Sequence, residues 1–448
     1  MTDGFREEAG VQDYLERTES YLRSGLLPFW TQRIVEPEHG GFQTNYDRRG
    51  ERTSVTRKTL LCQARAVYAL SFAARCGYSW DGWEGMIGQG LDFIQRHLRD
   101  GRGGGYYWIV EEDGRVLDSG KVVYGHAFLI YAFSEYALLT GDEEARRLAC
   151  GIFDLLLEKA SDLRYGGFLE HFDRDFRPVS VVRDGTLNKS FDVHMHLMEA
   201  FTNLYELTGD HRHRSALEQT IELICDRMID GKTGTAVSLF RVDWTPMANE
   251  ELETVWGADR FEDVRKPADV TSYGHNIEFF WLYLHGLDVL GRRPDAPASQ
   301  PERPGRRGGA AARILPTAQH TVEHGVDREF GGIFVEGRRT GGPTDTSKEF
   351  WQQAEALVGF LSAYQLTHDR RFLDAFRNVH DFVFTHMINR EVGEWYPLLS
   401  REGEVIRDYM GSDWKICYHT LRSMCLVLKK LREIINGESE VRTAVQNG

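Results

Sequence analysis

The stretch RYGGFLEHFD, residues 164–173, contains a glycine pair, an aromatic residue and then alternating side chains. The same Gly-Gly-apolar element recurs as Gly40-Gly41-Phe42, Gly104-Gly105-Tyr106 and Gly331-Gly332-Ile333. The first three copies are separated by 64 and 62 residues. A fixed period of this size indicates one supersecondary unit that is repeated along the chain, each copy burying its apolar face against its neighbours.

Two weaker copies complete the series. The segment GEWYPLL around Tyr396 lies 63 residues after Ile333, and TGTAVSLF near Val237 falls in the long gap between Phe168 and Ile333. We therefore expect six units.

Apolar residues at helical spacing predict two helices in each unit. The twelve predicted helices span residues 10–26, 57–76, 83–98, 121–140, 143–159, 188–208, 210–229, 272–290, 311–325, 347–367, 369–388 and 412–436. The turns ALLTGD, YELTGD and YQLTHD, which end at Asp142, Asp210 and Asp369, each close one helix and cap the next. These turns are predicted to lie together at one end of the molecule, and the glycine elements are predicted to form short hairpins at the other end.

This pattern predicts an all-α protein, an (α/α)6 barrel with short β-hairpins at the active-site end. Residues 1–448 are expected to form a single catalytic domain, in which the Pro-, Gly- and Arg-rich segment 291–313 is an exposed loop insertion.

Composition excludes several classes of function. The net charge is −14, and no long basic block is present, so nucleic acid is not an expected partner. The mean hydropathy is −0.43, and no apolar stretch is long enough to span a membrane. The first twenty residues lack the features of a signal peptide, and the six cysteines form no CxxC pair. We expect a cytoplasmic protein with neither a zinc ribbon nor a disulfide framework.

Polar and aromatic residues cluster in the first turns of every second, more apolar helix, at the end that bears the glycine loops. Such a convergence of helices predicts a ligand pocket. The predicted mouth contains Arg65, Tyr124, His126, His194, His196, Glu199, His275, Glu278, Trp351, Glu355, Trp414 and His419.

The pairs His196-x-x-Glu199 and His275-x-x-Glu278 each place an imidazole and a carboxylate on one helix face. Three interpretations remain open from the residues alone. The pairs are acid/base groups that titrate near neutral pH, ligands of a metal ion, or buried polar groups that brace the helices.

Two further features are also open to two interpretations each. Trp351 and Trp414 either stack on a sugar ring or belong to the core. Arg65 is costly to bury unpaired, so it either forms an ion pair with one of the nearby glutamates or faces an oxyanion.

Long ordered segments resemble the N-acylglucosamine 2-epimerase family, closest to its cellobiose 2-epimerases. They are PFW and EHGGF near the start, RYGGFLEHFDRDFRP, NKSFDVHMHLMEAFTNLYE, SYGHNIEFFWL, FGGIFVEG, FWQQAEALVGFLSAYQ and WKICYH. The likeness runs from Leu27 to the last helix. The resemblance implies the (α/α)6 fold.

The resemblance also implies roles for individual residues. It makes His275 and His419 the catalytic pair, and it adds as further active-site residues His196, Arg65, Glu278, Glu355, Trp351, Trp414 and Tyr124. Three positions depart from the pattern of the cellobiose 2-epimerases: Asp192 stands where they usually have Asn, Phe350 replaces the first Trp of a pair, and Cys417 replaces Pro in WKCPYH. We expect Asp192, His194 and Phe350 to contribute to substrate binding.

The predicted function is carbohydrate 2-epimerisation, which interconverts the glucose and mannose configurations at carbon 2 of a reducing aldose. Two histidines would act as acid and base through an enediolate, with neither metal nor organic cofactor. An aldose–ketose isomerase acting on mannose is the runner-up. An inverting glycoside hydrolase and a sugar-binding protein without turnover are further candidate functions. The expected partner is a small sugar, and the chain is expected to be a monomer or homodimer.

Overall fold

The structure, a computed structural model, describes residues 2–248, 251–252, 268–291 and 309–446. Most of the predicted insertion at 291–313 lies outside the described residues. Its exposure and the assignment of the chain to one domain therefore stay predictions.

Six helices form an inner set whose side chains, where their burial is described, are mostly buried. Numbered in chain order among all helices, they are α3 (Leu60–Arg75), α5 (Val123–Thr140), α7 (Phe191–Thr208), α9 (Tyr273–Val289), α11 (Phe350–Thr367) and α13 (Cys417–Gln446). Each contacts the next, and α13 contacts α3. The inner helices therefore close into a ring.

The remaining helices lie outside this ring. They are α1 (Thr2–Tyr21), α2 (Leu27–Thr31), α4 (Trp83–Phe93), α6 (Glu143–Lys159), α8 (His211–Leu223), α10 (Ala310–His320) and α12 (Arg370–Phe382). All of them except the short α2 pack against an inner helix. In the described part of the chain, no helix combines the length and apolar character that crossing a bilayer requires. The prediction of an all-α protein is confirmed.

The turns at one end of the ring have the predicted chemistry. Gly141 and Gly209 end their helices in the left-handed conformation, and His368 does the same at φ 54°. Each of these residues is followed by an aspartate that caps the next helix. After Gly141, Asp142 accepts a hydrogen bond from a backbone N–H of the following helix. Asp210 and Asp369 act in the same way.

Short strands join neighbouring units at the opposite end. The strand before an inner helix pairs antiparallel with the strand that follows the next glycine loop, and an isolated bridge between Tyr46 and Gly411 links the last unit to the first. The pairs are β1 (Lys58–Thr59) with β2 (Ile109–Val110), β4 (Lys121–Val122) with β5 (His171–Phe172), β6 (Asn188–Ser190) with β7 (Leu239–Arg241), β8 (Val270–Ser272) with β9 (Glu336–Arg338), and β11 (Lys348–Glu349) with β12 (Leu398–Leu399). Three hairpins add β3 (Val116–Asp118), β10 (Pro343–Asp345) and β13 (Val405–Arg407).

These strands explain where the predicted helix boundaries were wrong. The inner helices begin one to five residues later than predicted, because for all but the last of them the residues before the helix are extended and form a strand. The first helix was predicted to end at residue 26, but it continues through a π-helical turn at Leu22–Leu26 into α2.

A repeated hydrogen bond attaches each of five glycine loops to an inner helix. The backbone N–H two residues after the first glycine of the loop donates to a side chain one turn into the helix. The donor and acceptor residues are Phe42 and Gln63, Tyr106 and His126, Phe168 and His194, Ala236 and Asn276, and Ile333 and Gln353, at 2.7 to 3.1 Å. The segment TGTAVSLF is therefore a true copy of the glycine element, with Ala236 rather than Val237 in the repeated position.

We expect a methyl group on the second glycine to break this contact. Gly167 has φ +74°, and a Cβ there would lie 2.7 Å from Nε2 of His194, whereas a Cβ on Gly166, φ +79°, would meet nothing within 4 Å. Both Gly→Ala variants carry the left-handed strain of about 1–2 kcal/mol. Gly167→Ala should lose about 2 kcal/mol more, because it also disrupts a buried hydrogen bond. Urea unfolding of the two variants measures the difference, and equal losses would contradict this role of the loop.

Candidate active site

A cavity of about 620 Å³, including the space at its open mouth, lies at the hairpin end of the ring. Of the twelve residues predicted for catalysis or substrate binding, which include Asp192 and Phe350 but not His126 or Glu199, ten line it. The lining consists of Arg65, Tyr124, Asp192, His196, His275, Glu278, Glu349, Phe350, Trp351, Trp414, Lys415 and His419. Of the other two predicted residues, Glu355 is hydrogen-bonded to His419 without lining the cavity, and His194 does not reach the cavity.

His194 has a structural role, and its prediction as a substrate-binding residue was wrong. Its Nε2 accepts the N–H of Phe168, and its Nδ1 bonds the carbonyl of Ser190. His126 makes the equivalent bonds to Tyr106 and Val122. Burial lowers the pKa of each ring to about 4, so both are neutral loop anchors.

The cation at the centre of the ring is Arg422, which the sequence analysis missed. Its guanidinium donates to Glu278 at 2.9 Å, to Glu355 at 2.7 Å, and also to Glu199. Its presence in the otherwise apolar segment CYHTLRSMCLVL, three residues after His419, was the available signal. Arg422 therefore forms the ion pairs that one interpretation had assigned to Arg65.

Arg65 instead faces the cavity among aromatic rings. It donates to the hydroxyl of Tyr124 at 2.7 Å and to the carbonyl of Trp414 at 3.3 Å. Its guanidinium also lies 4.5 Å from the centre of the Phe128 ring. The interpretation in which Arg65 pairs with a glutamate was wrong, which leaves the interpretation in which it faces an oxyanion.

His196 is bound by a carboxylate at each ring nitrogen. Nδ1 lies 2.8 Å from Glu199, and Nε2 lies 3.3 Å from Asp192. Burial opposes a charge on this ring, but the hydrogen bonds to Asp192 and Glu199 outweigh it and raise the pKa to about 9. His196 is therefore an imidazolium at neutral pH.

His419 is in the opposite state. Burial, assisted by Arg65 and Arg422, lowers its pKa to about 3 against the effect of Glu355. Its Nδ1 lies 2.7 Å from Oε1 of Glu355, so a neutral ring donates from Nδ1 and leaves the lone pair on Nε2. A neutral imidazole held in one tautomer can act as a base.

His275 and the two tryptophans complete the wall of the cavity. Nε2 of His275 lies 3.5 Å from Asp192. The Trp351 ring centre lies 4.6 Å from that of His275 and 5.6 Å from that of His419. Trp351 and Trp414 are both only half-buried and line the cavity, which favours the interpretation that they contact a ligand.

The carboxyls beneath the cavity differ in charge. Burial and the neighbouring Glu355 raise the pKa of Glu278 to about 8. Burial acts in the same direction on Glu199, but Arg422 and His196 outweigh it and lower the pKa to about 2. Arg422 and His419 likewise lower the pKa of Glu355 against burial. At neutral pH Glu278 is protonated, and the other two are carboxylates.

The metal interpretation meets a competing cation. Donor atoms of Glu278, Glu355 and His419 lie within 4.8 Å of one another, the one such group in the described part of the chain. However, Arg422 already bonds both carboxyls, and His419 bonds Glu355. The guanidinium already bonds Oε1 of each of these two carboxyls, and the absence of a metal requirement stays a prediction.

A larger cavity of about 2890 Å³ opens at the opposite, turn-bearing end of the ring. Tyr68, Tyr131 and Trp281 separate it from the charged layer around Arg422. None of the predicted site residues line this larger cavity, so we place the chemistry in the smaller one.

A neutral base, a second histidine and a buried arginine around one cavity define an acid–base enzyme. Comparison with known proteins gives its family. The chain matches the N-acylglucosamine 2-epimerase (GlcNAc 2-epimerase) family over residues 40–423, and it belongs to that family. The predictions of the family and of an isomerase are confirmed.

Individual relatives match along nearly the whole chain. A cellobiose 2-epimerase of Bacteroides fragilis is 28% identical over 415 residues, which cover 91% of this chain and 96% of the relative. A D-mannose isomerase of Marinomonas mediterranea is 25% identical over 440 residues, covering 95% and 98%. The structure of a cellobiose 2-epimerase from Spirochaeta thermophila matches with TM-score 0.82 and 28% identity, covering 95% of this chain and 98% of that one.

Removal of the central cation should strongly destabilise the protein. Arg422→Met leaves Glu199 and Glu355 buried without their main counter-charge, which we expect to lower the free energy of unfolding by about 3–5 kcal/mol. Arg432→Met is the matched control on the same helix, because Arg432 is half-exposed and pairs with Glu19; there we expect a loss under about 1 kcal/mol. Equal losses in urea unfolding would contradict the central role of Arg422.

The charge on His196 predicts a dependence of stability on pH. Because its pKa is raised from about 6.5 to about 9 on folding, its contribution is fully present below pH 6.5 and is lost as the pH rises through 9. The difference in unfolding free energy between wild type and His196→Asn should shrink by about 3 kcal/mol between pH 6 and 10. A difference that is constant across this range would show that the ring is neutral.

Proposed function

We propose that this chain is a carbohydrate 2-epimerase that interconverts the glucose and mannose configurations at carbon 2 of a reducing aldose, with the closed ring as an (α/α)6 barrel. The observation that carries the proposal is that His275 and His419, from two different helices, line one cavity together with Arg65. Similarity to cellobiose 2-epimerases across the chain supports it.

The proposed reaction passes through an enediolate. After the sugar ring opens, Nε2 of His419 removes the proton from carbon 2, since Glu355 keeps its lone pair available. Arg65 stabilises the oxyanion that develops on O1. His275 then delivers a proton to the opposite face of carbon 2, and in the reverse direction the two histidines exchange roles.

Aromatic residues would hold the sugar during this exchange. We assign the apolar face of the ring to Trp351 and Trp414, and assign Tyr124 and Phe350 to the surrounding wall. Glu355 acts through His419 rather than on the sugar.

An aldose–ketose isomerase is the second candidate. It would share the enediolate and return the proton to carbon 1, and similarity to a D-mannose isomerase over 440 residues favours it over an inverting glycoside hydrolase. Independence of metal and nicotinamide, a cytoplasmic location and a monomeric or homodimeric state also stay predictions.

The test is NMR of mannose, glucose, cellobiose and N-acetylglucosamine incubated with the enzyme in D₂O. Epimerisation at carbon 2 with deuterium incorporation there is the expected result for at least one sugar. A ketose product would establish the second candidate instead, and no exchange in any sugar would contradict both. The same assay after exhaustive chelation tests the metal prediction.

The His419 and His275 variants should both lose epimerisation, but they should differ in which epimer still exchanges its carbon 2 proton. His419→Asn and His275→Asn should each lower net epimerisation by about 10²–10⁴-fold, because each face of carbon 2 loses its only acid/base group. Exchange of the carbon 2 proton should survive in whichever epimer faces the remaining histidine. Two folded variants that both epimerise within a few-fold of wild type would contradict the assignment.

A further inference from the structure

Opening of the sugar ring needs its own acid and base, and His196 is unsuited to the role of the base. Its two ring nitrogens are bound by Glu199 at 2.8 Å and Asp192 at 3.3 Å. An imidazolium carries a proton on each ring nitrogen, so it has no lone pair with which to accept another. The base must therefore be another group that lines the cavity.

We propose that Asp192 and Glu278 are the catalytic base and acid of ring opening, a step separate from the histidine chemistry at carbon 2. The assignment rests on the proposed function. Asp192 takes the proton from the O1 hydroxyl, and Oε2 of Glu278 gives its proton to the ring oxygen O5. Both oxygens are bonded to carbon 1, and both side chains line the same cavity.

Asp192 has the position and charge of the base. Its side chain keeps 13% of its surface exposed, and one oxygen lies between His196 and His275, at 3.3 and 3.5 Å. Burial would raise its pKa, but the hydrogen bonds to these histidines outweigh burial and hold the pKa well below its usual range. The group is therefore a carboxylate that can accept a hydrogen bond from a sugar hydroxyl.

Glu278 has the form of the acid. Arg422 binds Oε1 at 2.9 Å, whereas Oε2 is buried and has no hydrogen-bond partner among the described residues. A pKa of about 8 gives it a proton at neutral pH, and an unpartnered buried hydroxyl is costly unless a ligand accepts it. The ionisable groups that surround it are Glu199 and His196 on α7, Glu355 on α11, and His419 and Arg422 on α13.

Two carboxyl groups whose surroundings push their pKa values apart are the usual arrangement for paired acid and base catalysis. As the C1–O5 bond breaks, the O1–H electron pair forms the C1=O bond, Asp192 gains a proton and Glu278 loses one. Ring closure of the product is the reverse process and returns both protons. The pair is therefore reset within each turnover without exchange with solvent.

Mutarotation tests the proposal, because opening and closing the ring interconverts the anomers without chemistry at carbon 2. The experiment follows the anomers of α-D-glucose and α-cellobiose by NMR with four variants and the wild type. His419→Asn should still accelerate mutarotation although it does not epimerise. Asp192→Asn and Glu278→Gln should lose that acceleration and should lower epimerisation by about 10²–10⁴-fold.

Glu170→Gln is the matched control. Glu170 is a buried carboxyl outside the cavity that accepts hydrogen bonds from Ser190 and Asn188, and its pKa of about 8 makes it already protonated at neutral pH. We expect wild-type mutarotation and epimerisation from it. Thermal unfolding of every variant reports whether it is folded.

A second measurement needs no variant. Wild-type acceleration of mutarotation should fall as the pH rises through about 8, because Glu278 then loses its proton. Unchanged mutarotation in folded Asp192→Asn and Glu278→Gln, or loss of mutarotation in folded His419→Asn, would overturn the proposal. If mutarotation changes in the variants as expected while no sugar exchanges its carbon 2 proton, the result contradicts the epimerase function but supports Asp192 and Glu278 as the ring-opening pair.

Discussion

The hydrogen bond from each of five glycine loops to an inner helix is the contact on which the active-site end depends. The acceptor lies one turn into the helix, so the loop is fixed against the same turn that carries the catalytic side chains. Gly167 has no Cβ, which lets the chain approach His194 closely, and Gly105 approaches His126 in the same way. The site is therefore assembled on rigid helix starts rather than on free loops.

A second repeated contact fixes the same loops. A lysine just before an inner helix is buried against a carboxylate of the loop, as in Lys121 with Asp100 and Lys348 with Asp327, both at 3.0 Å. Replacing a buried ion pair by apolar groups is often neutral, whereas removing one partner is costly. Such pairs therefore penalise a loop docked in the wrong register, which matters in a chain whose units resemble one another.

The sequence predicted what depends on local signals and missed what depends on distant partners. Glycine pairs, Asp caps and apolar periodicity are local, and they located the helices, the turns and the loops with few errors; two of the six loops were recognised only as weaker copies. His126 and His194 were grouped with the catalytic set because the repeat itself places a polar loop anchor at that end of each helix. Their clustering with His196 reflected the repeat as well as function. Arg422 was missed because its three partners come from three other helices.

The charges around the cavity explain why two arginines are needed. Three carboxylates face three cations: Asp192, Glu199 and Glu355 against His196, Arg422 and Arg65. Both terminal nitrogens of Arg422 already bond carboxyl groups, so its charge is largely neutralised before a substrate binds. Arg65 has no carboxylate partner in the described part of the chain and is held by Tyr124 and a backbone carbonyl instead. Its charge is therefore available to an enediolate oxygen at the moment that oxygen forms. If Arg65 were paired with the glutamates, its charge would already be neutralised before the substrate bound.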